Sequence, residues 1–207
     1  MSTPNIIGNG IWINSKVLLG DNVTIGHASC IGYNLFDEDT PDTTIGNNVR
    51  IGAFCVVSLG VKIGDNVELD HYCRVDTGSE IGANTKILYS VQVFENVKIG
   101  ENCIIGGDLI DRAIVEDNVT YMGHMAHGYR NPGNLRDWDT MIQPSPIIKH
   151  NSVVGERAMI IGGVSIGSES YIAAGEIVRT NIPPKSVLYK GKLMPIENWR
   201  GLLSTRK

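Results

Sequence analysis

Between Ile45 and Gly106 an aliphatic residue returns at every sixth position without a slip: Ile45, Ile51, Val57, Ile63, Leu69, Val75, Ile81, Ile87, Val93, Ile99 and Ile105. Neither a helix, at about 3.6 residues per turn, nor simple strand alternation produces that period, so it has to be read as a repeat. The unit is an aliphatic residue, Gly, two polar residues, a small residue and a variable one, as in I-G-D-N-V-E from Ile63 and I-G-E-N-C-I from Ile99. Gly followed by Asp-Asn is turn chemistry, because Gly and Asn tolerate positive φ and Asp bonds its own turn backbone. Between turns only a short extended piece remains, whose alternate residues share a side. Three such pieces and three turns close a triangular coil, and the next coil stacks on it at about 4.8 Å through parallel ladder bonds. The leading aliphatics then form columns inside a prism.

The same spacing starts earlier, at Ile7, Ile13, Leu19, Ile25 and Ile31, and resumes later at Ile148, Val154, Ile160, Ile166, Ile172 and Val178. It fails in two places. Eight extra residues fall within Tyr33 to Thr43, an acidic stretch with Asp37, Glu38, Asp39 and Asp42 that predicts an extruded loop. After Ile105 the register shifts to Val115 and Tyr121, and pattern is then lost from Gly123 to Pro146. Long irregular excursions from a compact domain are often functional. The sequence predicts an all-β domain over residues 1–193, with loop insertions at about 33–43 and 123–146. A short helix over 194–207 is expected to cap the last coil, since Pro195 suits a first turn and Trp199, Leu202 and Leu203 offer an apolar face. The repeat resembles that of the hexapeptide-repeat family, which implies a left-handed parallel β-helix. The handedness comes from the resemblance, and it departs from the usual crossover rule.

Composition enters as a filter. The 24 glycines follow the repeat instead of clustering in linkers, so they signal tight turns. A net charge of −4 without a basic run argues against a nucleic-acid partner. No stretch is apolar enough to span a membrane and no signal-like segment opens the chain, so a cytoplasmic location is expected. Cys55, Cys73 and Cys103 occupy a slot that elsewhere holds Val, Ser or Thr, which reads as small buried side chains rather than disulfide partners or nucleophiles.

Of the five histidines, His27, His71 and His150 sit two residues after a leading aliphatic, a turn position that accepts any polar residue. His124 and His127 differ, because they open the long interruption, in Y-M-G-H-M-A-H-G-Y-R-N-P from Tyr121. Their H-x-x-H spacing resembles the UDP-sugar acyltransferases of lipid A synthesis. The layout around them, with P-I-I-K-H-N-S-V-V-G-E-R-A-M-I-I-G-G-V-S-I-G from Pro146, resembles maltose, galactoside and nucleotide-sugar acetyltransferases. Both resemblances imply a histidine general base in this motif, His127 ahead of His124, and a neutral imidazole suits the task near neutral pH. Asp108, Asp111, Glu116, Asp137 and Asp139 are the carboxylates available to orient it.

The resemblance also implies acetyl-CoA as the acyl donor and no metal. I-A-A-G-E-I-V-R-T-N-I-P-P-K-S-V from Ile172 is similar to the family's acetyl-CoA segment, which points to Gly163, Ala173, Ala174, Arg179, Lys185 and Lys190 as cofactor contacts. Here Glu176 stands in a slot where the family has a small residue. Tyr129, Trp138 and Asp139 are the expected contacts for a small-molecule acceptor, first an amino sugar on a nucleotide carrier. A homotrimer is expected by resemblance alone. Two rival readings remain. A γ-class carbonic anhydrase would use histidines such as His71, His124 and His127 on a metal, and C-R-V-D-T-G from Cys73 partly resembles that family's Arg-x-Asp segment. A non-catalytic hexapeptide-repeat scaffold would need neither the loop histidines nor the CoA-like segment.

Overall fold

In the computed structural model, which describes residues 4–34, 39–128 and 144–201, the chain winds as a triangular prism with three sheet faces, a left-handed parallel β-helix. Face 1 begins with Ile6–Ile7 and ends with Ser186–Tyr189 and Lys192–Pro195. Face 2 runs from Trp12–Ile13 through Gln92–Val93, continues by a bridge to Leu109, and resumes with His124–Ala126, Met159–Ile161 and Ile177–Val178. Face 3 runs from Val17–Leu19 to Ser165–Ile166 and ends in a bridge to Ile182. The corners between faces are turns, and the residue that closes many of them holds a left-handed φ near 60°. Asn takes that place at Asn22, Asn48, Asn66, Asn84, Asn96, Asn102, Asn118 and Asn151, as the turn chemistry predicts.

Register follows from the period. Glu68 pairs with Lys86 and Arg74 with Gln92, each partner one coil of 18 residues away. The leading aliphatics point inward at 0–4% exposure from Ile25 to Ile105, stacking as continuous columns. Burial of those columns, about 25 cal/mol per Å² of apolar surface, is what holds coil to coil. The small slot also has a polar function. Ser79 Oγ donates to Phe94 O at 2.7 Å and accepts from Val97 N at 3.2 Å, and Thr85 Oγ1 links Gly100 O and Cys103 N in the same way. The thiols of Cys55, Cys73 and Cys103 donate to Asp70 O, Leu88 O and Glu116 O, each at 3.1 Å. The cysteines are therefore buried and free, as expected, and they also donate to turn carbonyls of the next coil.

The interruptions appear as offsets between paired strands. Thr24 pairs with Arg50, so the acidic insertion adds 8 residues to one coil and leaves at the corner between faces 2 and 3. Ile104 pairs with Thr120, a coil of only 16 residues shortened at the Gly106–Gly107–Asp108 turn. The long excursion begins later than the loss of pattern suggests. Gly123 still makes a tight turn, and His124–Ala126 is a face 2 strand in which Met125, not an aliphatic, is the inward residue. The described chain runs to Gly128, resumes at Pro144 and is on face 3 at Ile147–Ile148.

The C-terminal end also departs from the expectation of a helix from residue 194. Lys192–Pro195 is a strand antiparallel to Ser186–Tyr189, joined through Lys190 and Gly191 at φ 51° and 67°. Two successive positive φ values make the tight primed turn of a hairpin, and Gly at the second position favours it. A single 3-10 turn, Ile196–Asn198, follows, and Trp199 packs edge-on against Tyr189 at 4.9 Å. Leu202 and Leu203 lie outside the described residues.

Candidate active site

Where the excursion leaves the prism, backbone crowds backbone. Gly162 N donates to Ala126 O at 2.8 Å, and a Cβ on Gly128 would stand 3.1 Å from Gly162 Cα. A Cβ on Gly163 would stand 2.5 Å from Pro144 Cβ, so only glycine lets the returning chain close this tightly. Beside these glycines is a cleft of about 490 Å³, floored by Gly128 and Ile161 to Val164 and walled by Pro144 and Arg179 to Asn181. The Arg179 side chain is exposed at its edge.

His127 adjoins the cleft through Gly128, half-buried, with Nδ1 sealed from solvent. His124 stands three residues earlier on the outer surface of its strand, in register with Met159, and its N–H donates to Ala158 O at 2.7 Å. The arrangement sets an imidazole beside a concave surface of glycine backbone that is edged by an exposed cation. Those are the parts needed to take a proton, hold a phosphate and approach an extended ligand closely.

The six expected cofactor residues do not converge. Gly163 and Arg179 share the cleft at the corner between faces 2 and 3. Ala173, buried, and Ala174, exposed, lie at the corner between faces 1 and 2, near Lys190, whose Nζ sits 5.2 Å over the Tyr189 ring. Lys185 is at the third corner, 3.7 Å from Glu169 Oε2. Tyr129, Trp138 and Asp139, the expected acceptor contacts, lie outside the described residues, as does Asp137. Asp108, Asp111 and Glu116 each spend a carboxylate oxygen on a backbone N–H of the preceding coil or the following one, those of Gln92, Glu95 and His150. They brace turns in the prism.

Arg74 and Asp76, the Arg-x-Asp pair, bond to one another at 2.7 Å with Asp76 buried. His71 lies in the turn after Glu68–Leu69, several coils before the strand that carries His124. Among the described residues no group of three or more His, Cys, Asp or Glu is arranged to hold a metal ion. Sequence reasoning missed a ladder of exposed rings, Phe54, Tyr72 and Tyr89, whose signal was the 18-residue spacing of the first two.

This geometry is that of a parallel β-helix built from hexapeptide units. The profile described as the hexapeptide repeat of succinyl-transferase matches residues 42–70 and 147–179, so in those two segments the chain is similar to hexapeptide-repeat proteins. Among curated proteins, the bifunctional protein GlmU of Nocardia farcinica is 29% identical over 89 residues, covering 40% of this chain and 18% of that protein. The match therefore spans less than a fifth of that relative. Among solved structures, the UDP-N-acetylglucosamine acyltransferase of Francisella novicida superposes with a TM-score of 0.63 at 14% identity, covering 92% of this chain and 69% of the other. LpxA from Acinetobacter baumannii gives 0.52 at 19% identity, covering 88% and 70%. At these identities the likeness is one of fold. Among the described residues no helix is long and apolar enough to cross a membrane.

Proposed function

We propose that this chain is a CoA-dependent acyltransferase that moves an acetyl group to an amine or hydroxyl of a small acceptor, an amino sugar on a nucleotide carrier being the first choice. The observation that carries this reading is the cleft lined by Gly128, Gly163 and Arg179, with His127 next to Gly128 in the chain. The similarity to acyltransferases supports the reaction class, and two of those relatives are named for UDP-N-acetylglucosamine or carry the GlmU name.

In the proposed reaction the acceptor's nitrogen or oxygen attacks the thioester carbon while its proton passes to the His127 ring. With Nδ1 sealed from solvent, Nε2 is the nitrogen assigned as the base. Backbone N–H groups of the glycine-lined floor stabilise the oxyanion, and the CoA thiolate leaves with a proton returned from the imidazolium. Arg179 pairs with the cofactor phosphates. His124, on the strand that precedes the cleft, is the second candidate base. The homotrimer is part of the same proposal and is checked by sedimentation.

Thiol release from acetyl-CoA, measured against a panel of amine and hydroxyl acceptors, tests the reading. His127→Ala should lower turnover by roughly a hundredfold to ten-thousandfold, the usual contribution of a general base. Wild-type rates in both His127→Ala and His124→Ala would overturn the mechanism. Absence of both turnover and CoA binding would favour a scaffold instead.

A further inference from the structure

A second concave site lies at a different corner, between faces 1 and 2, in the coils that precede the excursion. Two adjacent columns of turn residues stack there. One holds His27, Ala53, His71 and Tyr89, and the other Ala28, Phe54, Tyr72 and Ser90, as the repeating turn bonds show: Phe54 N to His27 O, Tyr72 N to Ala53 O and Ser90 N to His71 O, each 2.9–3.0 Å. In the first column Ala53 interrupts a run of rings, and in the second Ala28 precedes one. Ala53 leaves a notch between the His27 and His71 turns, which are two coil spacings or roughly 9–10 Å apart. That notch is part of a cavity of about 460 Å³.

The walls of the notch are fixed. His27 Nδ1 accepts from Asn9 N at 2.9 Å and His71 Nδ1 from Ala53 N at 2.8 Å, so in each neutral ring the proton sits on Nε2. Both imidazoles are therefore outward donors of settled tautomer. Asp70, 3.9 Å from His71 Nε2, and Glu68 supply acceptors on the same surface. Beside the notch Phe54 and Tyr72 stack at 5.1 Å and 8°, with Tyr89 edge-on to Tyr72 at 5.5 Å. The far face of Phe54 looks toward Ala28, which offers only a methyl group. Phe54 and Tyr72 hold φ of 60° and 63°, at the turn position that many corners give to Asn and others to Ala, Ser, Arg, Glu or Lys. A non-glycine aromatic there costs about 1–2 kcal/mol of backbone strain. Backbone preference therefore favours Asn over an aromatic residue at both positions.

The chemistry of the surface selects the ligand. The lining gives no net positive charge to hold an anion, because Arg50 and Lys86 are balanced by Glu68, 3.9 Å from Arg50 Nη1 and 3.2 Å from Lys86 Nζ, and by Asp70. A flat apolar ring would leave the donors and carboxylates without partners. A neutral ring with C–H faces and hydroxyls on its rim satisfies both the aromatic faces and the alternating donors and acceptors. We propose that the notch at Ala53, bounded by His27, His71 and Phe54, is a binding site for a hexopyranose, separate from the transferase cleft and independent of that assignment.

The test is a titration of the intact protein with methyl glucopyranoside and with N-acetylglucosamine, followed through the imidazole C–H resonances of His27 and His71. A saturable shift at both rings is expected with at least one of the two sugars. Ala53→Tyr, which places at that position the residue the column carries at Tyr89, should weaken binding by about tenfold or more. Phe54→Asn should do the same while raising the unfolding midpoint, which separates lost binding from lost folding. His127→Ala should leave the titration unchanged, so a failure here is distinct from a failure of the transferase reading. The proposal is overturned by absence of a saturable shift in the unaltered protein, or by Ala53→Tyr and Phe54→Asn binding as tightly as it does. It is also overturned if those variants change the sedimentation coefficient and no sugar binds, which would make the rings an interface between copies.

Discussion

Tyr121 occupies an inward column where its neighbours are Ile105 and Val154, and it is completely buried. Its hydroxyl has no hydrogen-bond partner among the described residues. A buried orphan of this kind costs about 1–3 kcal/mol, so Tyr121→Phe should keep or raise stability, opposite to most core substitutions. Burial, reinforced by the nearby Asp108 charge, holds the phenol well above its ordinary pKa. The folded state then keeps its proton while the unfolded chain loses one from about pH 10 upward. Stability from this group is complete below that pH and is lost as pH rises beyond it. Urea unfolding of Tyr121→Phe between neutral pH and pH 11 should show a shallower alkaline fall than the parent protein. An unchanged slope would remove Tyr121 as its source.

At the same scale the limits of the sequence reading have a physical cause. Each corner recurs every 18 residues, so residues six apart point to different corners. Ala173, Arg179 and Lys185 are spaced by six, and the structure puts them on three separate edges. A count of phase along the chain would have kept Gly163 with Arg179 and parted them from the rest. The cleft itself was not legible, since Gly128 and Pro144 meet only because the excursion returns to the prism.

At the scale of the element, the strand-turn unit was read correctly because its period, its turn residues and its inward alternation all agree. The small slot was understood only in part: volume was visible, hydrogen bonding was not. Thr85 bridges Gly100 O at 2.9 Å and Cys103 N at 3.0 Å. Thr85→Val conserves shape and removes both bonds, so it should destabilise by about 1–3 kcal/mol. Cys103→Ser keeps a donor toward Glu116 O and should cost less. Parallel denaturant titrations of the two variants decide the order. A Thr85→Val protein as stable as the parent would mean that the bridge contributes nothing.

The helix expected from residue 194 starts later than the sequence suggests, as the 3-10 turn Ile196–Asn198, and residues 202–207 lie outside the described ones. Pro195 reads as a first helical turn, yet the Lys190–Gly191 turn upstream had already committed the chain to a hairpin. That turn with two positive φ values makes Met194 and Pro195 part of a strand.

For the molecule as a whole, stability is distributed coil by coil, each coil contacting only its neighbours. Removing residues 82–99, one full coil, joins Ile81 to Gly100 in unbroken phase. That deletion should give a folded protein with cooperative thermal unfolding at a lower midpoint. A chain lacking β circular dichroism after this deletion would show that the coils are not interchangeable.

The acidic insertion and the long excursion both leave by the corner between faces 2 and 3. Five coil steps separate their roots along face 2, from Cys30–Tyr33 to His124–Ala126, which is roughly 24 Å at the strand spacing. The prism thus behaves as a graduated ruler with two marks on one edge. Gain or loss of whole coils slides the marks in steps of about 4.8 Å without turning either away from the other. Changes by a single hexad would rotate one mark to the next edge. A lineage can therefore tune the distance between the two roots by copying coils, while leaving both on the same edge.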